Sequence, residues 1–275
     1  MKACVPFKEI SLWSAIRRKS LHGTKFESIL TRTFAATKYL ASDPLVKLAG
    51  RYGYRARSSF KLMEIDSKYS LIKPIVSETS SPLYIEVFTI LKKSFIIDCG
   101  CAPGGWSQVL SERIYEQPSE RVKEYKEIKN VLKKYANINM KAELNVQQEC
   151  SSVSGDRIIG VDLLTMIPIR GVKFIKGNFL EDSTIKKIEE ALSNCKVGLV
   201  LSDMAPNISG NKGIDDAKSM DLCTKVLDFA EQYLIKGGSL VIKYFMGHSN
   251  SELKMLLKSK FLSVYSEKPY SSRPG

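Results

Sequence analysis

Lys243 is the first residue in this chain whose surroundings ask for a chemical account. It stands among Leu240, Val241, Ile242, Tyr244 and Phe245. An ammonium in such a run needs a counter-charge or a weakened hold on its proton. Asp203, which closes the apolar run Val197 to Ser202, can supply the counter-charge. A second feature is the loop Asp98-Cys99-Gly100-Cys101-Ala102-Pro103-Gly104-Gly105-Trp106. Gly100, Gly104 and Gly105 would let backbone approach a ligand closely, and the helix expected after them offers its first amides. No G-x-G-x-x-G is present, and Pro103 and Trp106 stand where a pyrophosphate would need bare amides. That argues against a nicotinamide dehydrogenase.

Polar residues close four apolar runs: Asp98, Asp162, Asn178 and Asp203. A carboxylate at Asp162 could accept both hydroxyls of a ribose. The Asn178 amide could both accept from and donate to an adenine edge. Asp98 could meet an ammonium directly or through water. Each alone reads as a polar residue ending a strand. Together with the glycine loop they describe S-adenosylmethionine better than NAD. Lys61, taken alone, reads as a solvated surface residue.

The elements that must position these groups follow from periodicity. Residues 58–69 read as a short helix capped by Ser58 or Ser59, and 106–114 as a helix after the loop. Strands are predicted at 94–98, 157–162, 172–178, 197–203, 239–245 and 261–268. Helices are predicted at 217–235, closed by Lys236-Gly237-Gly238, and at 250–259. Strands that are apolar throughout and alternate with helices indicate a parallel sheet covered on both faces. Residues 115–156 interrupt the rhythm. Val122, Tyr125, Ile128, Val131, Leu132 and Tyr135 recur at helical spacing there, so an amphipathic helix plus a loop is expected on the rim of the sheet. It reads as a solvated decoration or a partner-binding element.

Charge is placed unevenly. The chain of 275 residues carries a net charge of +13, of which the first 73 residues hold +10. Residues 1–35 combine Arg17, Arg18, Lys19 and Arg32 with many hydroxyl residues and only Glu9 and Glu27 as acids. That composition reads as a mitochondrial transit peptide or as a disordered basic leader. Residues 36–275 then form the globular part. With two histidines and six cysteines that form no C-x-x-C pair, neither a disulfide scaffold nor a zinc ribbon is expected, and no metal is implied. No apolar run reaches the length of a membrane span.

The segments YRARSSFKLMEI (54–65), IIDCGCAPGGWSQ (96–108), IIGVDLL (158–164), LSDMAPNISG (201–210) and KGGSLVIKYF (236–245) resemble the FtsJ/RrmJ-type ribose 2′-O-methyltransferases. Together with the basic leader, SDPLVKLAGRYGYRARSSFKL is similar to the mitochondrial branch, which modifies a uridine ribose in large-subunit ribosomal RNA. The resemblance implies a Rossmann-like S-adenosylmethionine-dependent methyltransferase fold. It also implies a Lys–Asp–Lys–Glu tetrad, whose first three members match Lys61, Asp203 and Lys243. Lys243 would take the ribose proton, helped toward its neutral form by Lys61 and the donor's sulfonium, and Asp203 would orient it. Asp98, Gly100, Pro103, Gly104, Gly105, Trp106, Asp162, Asn178 and Asp203 would hold the donor. The family's third-strand aspartate is Asn178 in this chain.

The family's tetrad glutamate and its final antiparallel strand find no match before Gly275. A truncated chain is therefore expected, with the sixth strand lacking its neighbour and catalysis impaired. A second reading follows, an RNA-binding or ribosome-assembly protein that keeps the cofactor pocket. The basic segment 51–73 is expected to contact RNA through Arg51, Tyr54, Arg55 and Arg57, with Tyr52 adding an aromatic face. The implied partner is ribosomal RNA, in an assembling mitochondrial large subunit in the matrix. The protein is expected to act as a monomer.

Overall fold

The computed structural model describes residues 43–72, 94–115, 127–128, 130–131, 155–247 and 249–272. The expected leader (1–35) and most of the expected insertion (115–156) lie outside them. Among the described residues, five strands form one sheet: β1 (Phe95–Cys99), β2 (Ile158–Asp162), β3 (Val172–Lys176), β4 (Val197–Ser202) and β5 (Leu234–Ile242). Their order is β3-β2-β1-β4-β5, and every pairing is parallel. The chain winds outward from β1 in one direction through β2 and β3, then returns beside β1 as β4. The carboxyl ends of β1 and β4 thus flank the point where strand order reverses, the usual place for a ligand in an open α/β sheet.

Among the described residues, six helices cover the sheet: α1 (Pro44–Arg51), α2 (Ser58–Tyr69), α3 (Gly105–Tyr115), α4 (Asp182–Leu192), α5 (Lys212–Tyr233) and α6 (Asn250–Lys260), apart from short helical pieces at 127–128 and 130–131. Side-chain alternation along the strands sorts the core into two layers. Ile97, Cys99, Ile159, Val161, Val200, Leu240 and Ile242 pack with α4, α5 and α6. Ile158, Leu199, Leu201 and Val241 pack on the other face with α1, α2 and α3, around Phe60, Leu62, Met63, Trp106 and Leu110. The described part of the insertion is helical at Glu127 and Ile128, and Ile128 is buried in this second layer. The insertion therefore has a foothold in the core and is not wholly a solvated decoration.

Most expected elements form within two residues of their predicted bounds. The expected sixth strand does not: residues 261–268 make no ladder. Tyr265 and Glu267 face α2 instead, where Tyr69 stacks on Tyr265 at 4.9 Å and its hydroxyl donates to Glu267 at 2.7 Å. Two helices were not anticipated. Helix α1 starts as capping rules require, with Asp43 accepting the Leu45 amide at 2.9 Å and Pro44 in the first turn. Helix α4 buries Thr184, Ile188, Ala191 and Leu192 along one stripe. Helix α5 begins five residues before its predicted start, capped by Asn211, which accepts from Gly213 and Ile214.

Candidate active site

The four polar strand-end residues stand at the carboxyl edge of the sheet, as their places in sequence imply. Asp98 lies within β1, fully buried, and accepts the Ser107 hydroxyl at 2.6 Å through Oδ2. Its Oδ1 has no hydrogen-bond partner among the described residues. Burial pushes the Asp98 carboxyl up to about 7, against the Ser107 hydrogen bond, and the nearby Asp203 and Asp162 charges add to the rise. Asp162 ends β2 and ties two backbone segments together: Oδ2 accepts the Ala102 amide at 2.9 Å and Oδ1 the Leu164 amide at 2.8 Å. Burial raises its carboxyl too, while those amides pull it back.

The loop between β1 and α3 is drawn onto β2, because Gly100 and Cys101 both donate to the Val161 carbonyl, at 2.8 and 3.2 Å. Gly100 is at φ +77°, and a Cβ there would fall 2.5 Å from Met204 Cγ. Gly104, at φ +111°, lies under Arg55 and Ile169, where a Cβ would come within 3.1 Å of the guanidinium. Pro103 is exposed at the loop's tip. Gly105 and Trp106 serve the fold. Ser59 donates to the Gly105 carbonyl at 3.0 Å, and the buried Trp106 indole donates to the Ser58 carbonyl at 2.9 Å. This corrects the expectation for the Trp106 side chain, which docks α3 on α2. Asn178 closes its own turn, its Oδ1 accepting the Leu180 amide at 3.1 Å and its amide reaching Glu181 at 3.3 Å.

Lys61, Asp203 and Lys243 come together from α2, the end of β4 and the end of β5. Lys243 Nζ lies 3.0 Å from Asp203 Oδ1 and donates to the Asp203 carbonyl at 2.6 Å. Lys61 Nζ lies 3.8 Å from the same Oδ1. Lys61 is 4% exposed, so the surface reading of it fails, and Lys243 is 3% exposed. Asp203 keeps 18% of its side chain open. Burial works against the Asp203 charge, but Lys243 and Lys61 outweigh it and hold the carboxyl below its ordinary range. The group can therefore orient two buried ammoniums next to a partly open carboxylate.

Two acids at the start of α5, which sequence reasoning passed over, shape the rim of this site. Asp215 accepts from the Ser209 amide and hydroxyl, both at 2.7 Å, and from the Gly210 amide at 3.1 Å. Asp216 accepts from the Ser249 amide and hydroxyl, both at 3.1 Å. The first fixes the loop that follows Asp203, the second the loop that follows Lys243. Adjacent acids near a helix start, with Asp215 in the first turn, were the available signal.

The expected RNA face is only partly free. Arg51 is exposed at the end of α1. Tyr54 is buried, edge-on to Phe60 with its hydroxyl on Glu112 at 2.8 Å, so it presents no ring for stacking. Arg57 pairs with Asp43 and donates to the Ser271 carbonyl. Both are corrections: they hold the fold. Arg55 donates to the carbonyls of Ile167 and Pro168, joining the segment before α2 to the loop after Asp162.

A glycine-bearing loop drawn onto the strand ends, an orphaned buried carboxylate oxygen and three carboxylates at adjacent strand ends fit a cationic nucleoside donor. Among the described residues no group is placed to hold a metal ion, and no helix is long and apolar enough to cross a membrane. Fold and site together define a Rossmann-like methyltransferase. Comparison with known proteins agrees: residues 54–275 match the model of the FtsJ-like methyltransferases, and the chain belongs to that family. The chain is 37% identical over 232 residues to the ribosomal RNA large subunit methyltransferase E of Francisella tularensis subsp. novicida, covering 84% of this chain and 85% of the relative. The protein of that name from Francisella philomiragia is 36% identical over 233 residues, covering 85% and 86%. A Plasmodium falciparum structure described as a ribosomal RNA methyltransferase superposes with a TM-score of 0.55 at 29% identity, covering 79% of this chain and 93% of that one.

Proposed function

We propose that this protein uses S-adenosylmethionine to methylate the 2′-hydroxyl of a ribose, a uridine, in mitochondrial large-subunit ribosomal RNA. The observation that carries the reading is the meeting of Lys61 and Lys243 on Asp203 beside the glycine loop. The names of the relatives support ribosomal RNA as the substrate. The basic leader supports import into the matrix.

Asp162 would hold the donor's ribose, Asn178 its adenine edge, and Asp98 and Asp203 its positive charge. When bound, S-adenosylmethionine supplies a methyl group on positively charged sulfur. The chain's own task is the ribose oxygen. A sugar hydroxyl is a weak nucleophile, and Lys243, having first released its own proton to solvent under the push of the donor's positive charge and of Lys61, accepts the hydroxyl proton as the oxygen is alkylated. Asp203 aims Lys243 from two atoms, its carboxylate and its carbonyl. Lys61 keeps a positive charge beside the developing alkoxide. Because the transfer requires oxygen, carbon and sulfur in line, positioning is the larger part of catalysis. The exposed Arg51 contributes to attraction of the RNA backbone.

The test is incorporation of labelled methyl from the donor into large-subunit ribosomal RNA, with Lys243→Ala as control. Depletion of the protein should remove one 2′-O-methyluridine from the mitochondrial transcript. A full set of marks after depletion would refute the assignment of substrate.

A further inference from the structure

Helix α2 carries Lys61, and the chain segment 265–271 fastens that helix from outside. Glu64 stands one turn after Lys61, so the two side chains leave neighbouring points of one helix face. Both oxygens of Glu64 are engaged: Oε2 accepts the Tyr270 amide at 2.8 Å and Oε1 the Ser271 amide at 3.0 Å. Contacts on either side follow the same line. Arg57, just before α2, donates to the Ser271 carbonyl, and at the far end Lys68 and Tyr69 hold Glu267. Burial raises the Glu64 carboxyl above its ordinary value, while the two amides and the Lys61 charge draw it back.

Asp203 does not fix Lys61 by itself. At 3.8 Å the pair is beyond hydrogen-bond length. The carboxylate that binds the 270–271 backbone stands one helical turn from Lys61, close enough for the two charges to interact. We infer that Glu64 is a positioning residue for the reaction: by clamping residues 270–271 across α2 it sets the place of the Lys61 ammonium one turn earlier and offsets part of its charge. This rests on the methyl-transfer reading and names a further residue for it.

The test uses the full chain with Glu64→Gln, Tyr270→Pro and both together. Tyr270→Pro removes the amide that Oε2 accepts and leaves α2 untouched. The turnover number, KM for RNA, donor binding by calorimetry and the 15Nζ resonance of Lys61 in donor-free protein are measured. Turnover should fall about ten- to a hundredfold in either single variant, with donor binding and KM unchanged and the Lys61 resonance displaced. The double variant should be no worse than Glu64→Gln, as expected for one coupled contact. Parental turnover and an unmoved Lys61 resonance in Tyr270→Pro would overturn the inference, whatever the melting temperature does. If the parent chain transfers no methyl, the reaction assigned above fails separately and the Lys61 resonance alone decides: displaced in both variants supports the clamp, unmoved refutes it.

Discussion

Lys243 holds Asp203 by two atoms, the carboxylate Oδ1 at 3.0 Å and the main-chain carbonyl at 2.6 Å. The double grip joins the ends of adjacent parallel strands β4 and β5, so the position of the amine is set by the sheet itself. The same oxygen faces Lys61 on a helix from the other side of the site. Removing the carboxylate therefore exposes two buried ammoniums to each other.

Asp203→Asn should destabilise the protein by about 3–5 kcal/mol, the usual cost of breaking a buried ion pair by deleting one partner. Methyl transfer should fall by about 10²–10⁴-fold. The pH dependence has a definite sign. The folded-state carboxyl sits below its unfolded value, so its stabilisation is present above the unfolded value and lost as pH falls through the folded one. Urea unfolding from neutral pH down to pH 3 should show that acid loss in the parent and a flatter curve in Asp203→Asn.

Asp98 titrates in the opposite sense. Its carboxyl is raised to about 7 in the folded chain, against about 3.9 unfolded. The folded state holds the proton longer, so stability from this group falls as pH rises between those values and is level above them. Asp98→Asn still accepts from Ser107 and carries no charge. It should gain stability over the parent at pH 8, by up to about 4 kcal/mol, and little at pH 4. Urea midpoints at the two pH values check this. Its affinity for the cationic donor should fall, read by calorimetry.

Gly100→Ala tests the loop between β1 and α3. The backbone is at φ +77°, and the new methyl would meet Met204 at 2.5 Å. A loss of about 1–3 kcal/mol is expected from the left-handed conformation alone, and donor affinity should drop at least about tenfold as the loop moves. Thermal unfolding and titration with S-adenosylhomocysteine measure the two effects.

Arg51 and Arg57 should separate cleanly. Arg51→Ala should lower RNA affinity and reduce the salt slope of binding by about one, with stability unchanged. Arg57→Ala strands the buried Asp43 and releases Ser271, costing about 3 kcal/mol in chemical denaturation. Its salt slope should match the parent's.

The legible part of this molecule was the sheet. Each central strand is an apolar run that stops at Asp98, Asp162 or Ser202-Asp203, and the parallel register brings those stops to one edge. A lysine inside such a run could be recognised before any fold was known, because burying it demands a partner. The start of α5 was hidden because Asp215 and Asp216 look like loop residues until the amides they accept are seen. Residues 261–268 alternate like a strand, but Tyr265 and Glu267 find partners on α2 rather than in a ladder. Arg57 and Tyr54 resembled an RNA face because their partners, Asp43 and Glu112, come from separate elements that only the fold brings together. Trp106 was misplaced for the same reason: its indole partner is the Ser58 carbonyl on another helix.

Single-turnover methyl transfer from isotopically labelled S-adenosylmethionine to large-subunit ribosomal RNA is the most direct test of the two-lysine site. The parent chain should place label on a ribose 2′-oxygen, and Lys243→Ala should place none while binding donor as tightly as the parent. A parent chain that binds donor yet leaves the RNA unlabelled, or a Lys243→Ala chain that labels it at the parental rate, would contradict the account.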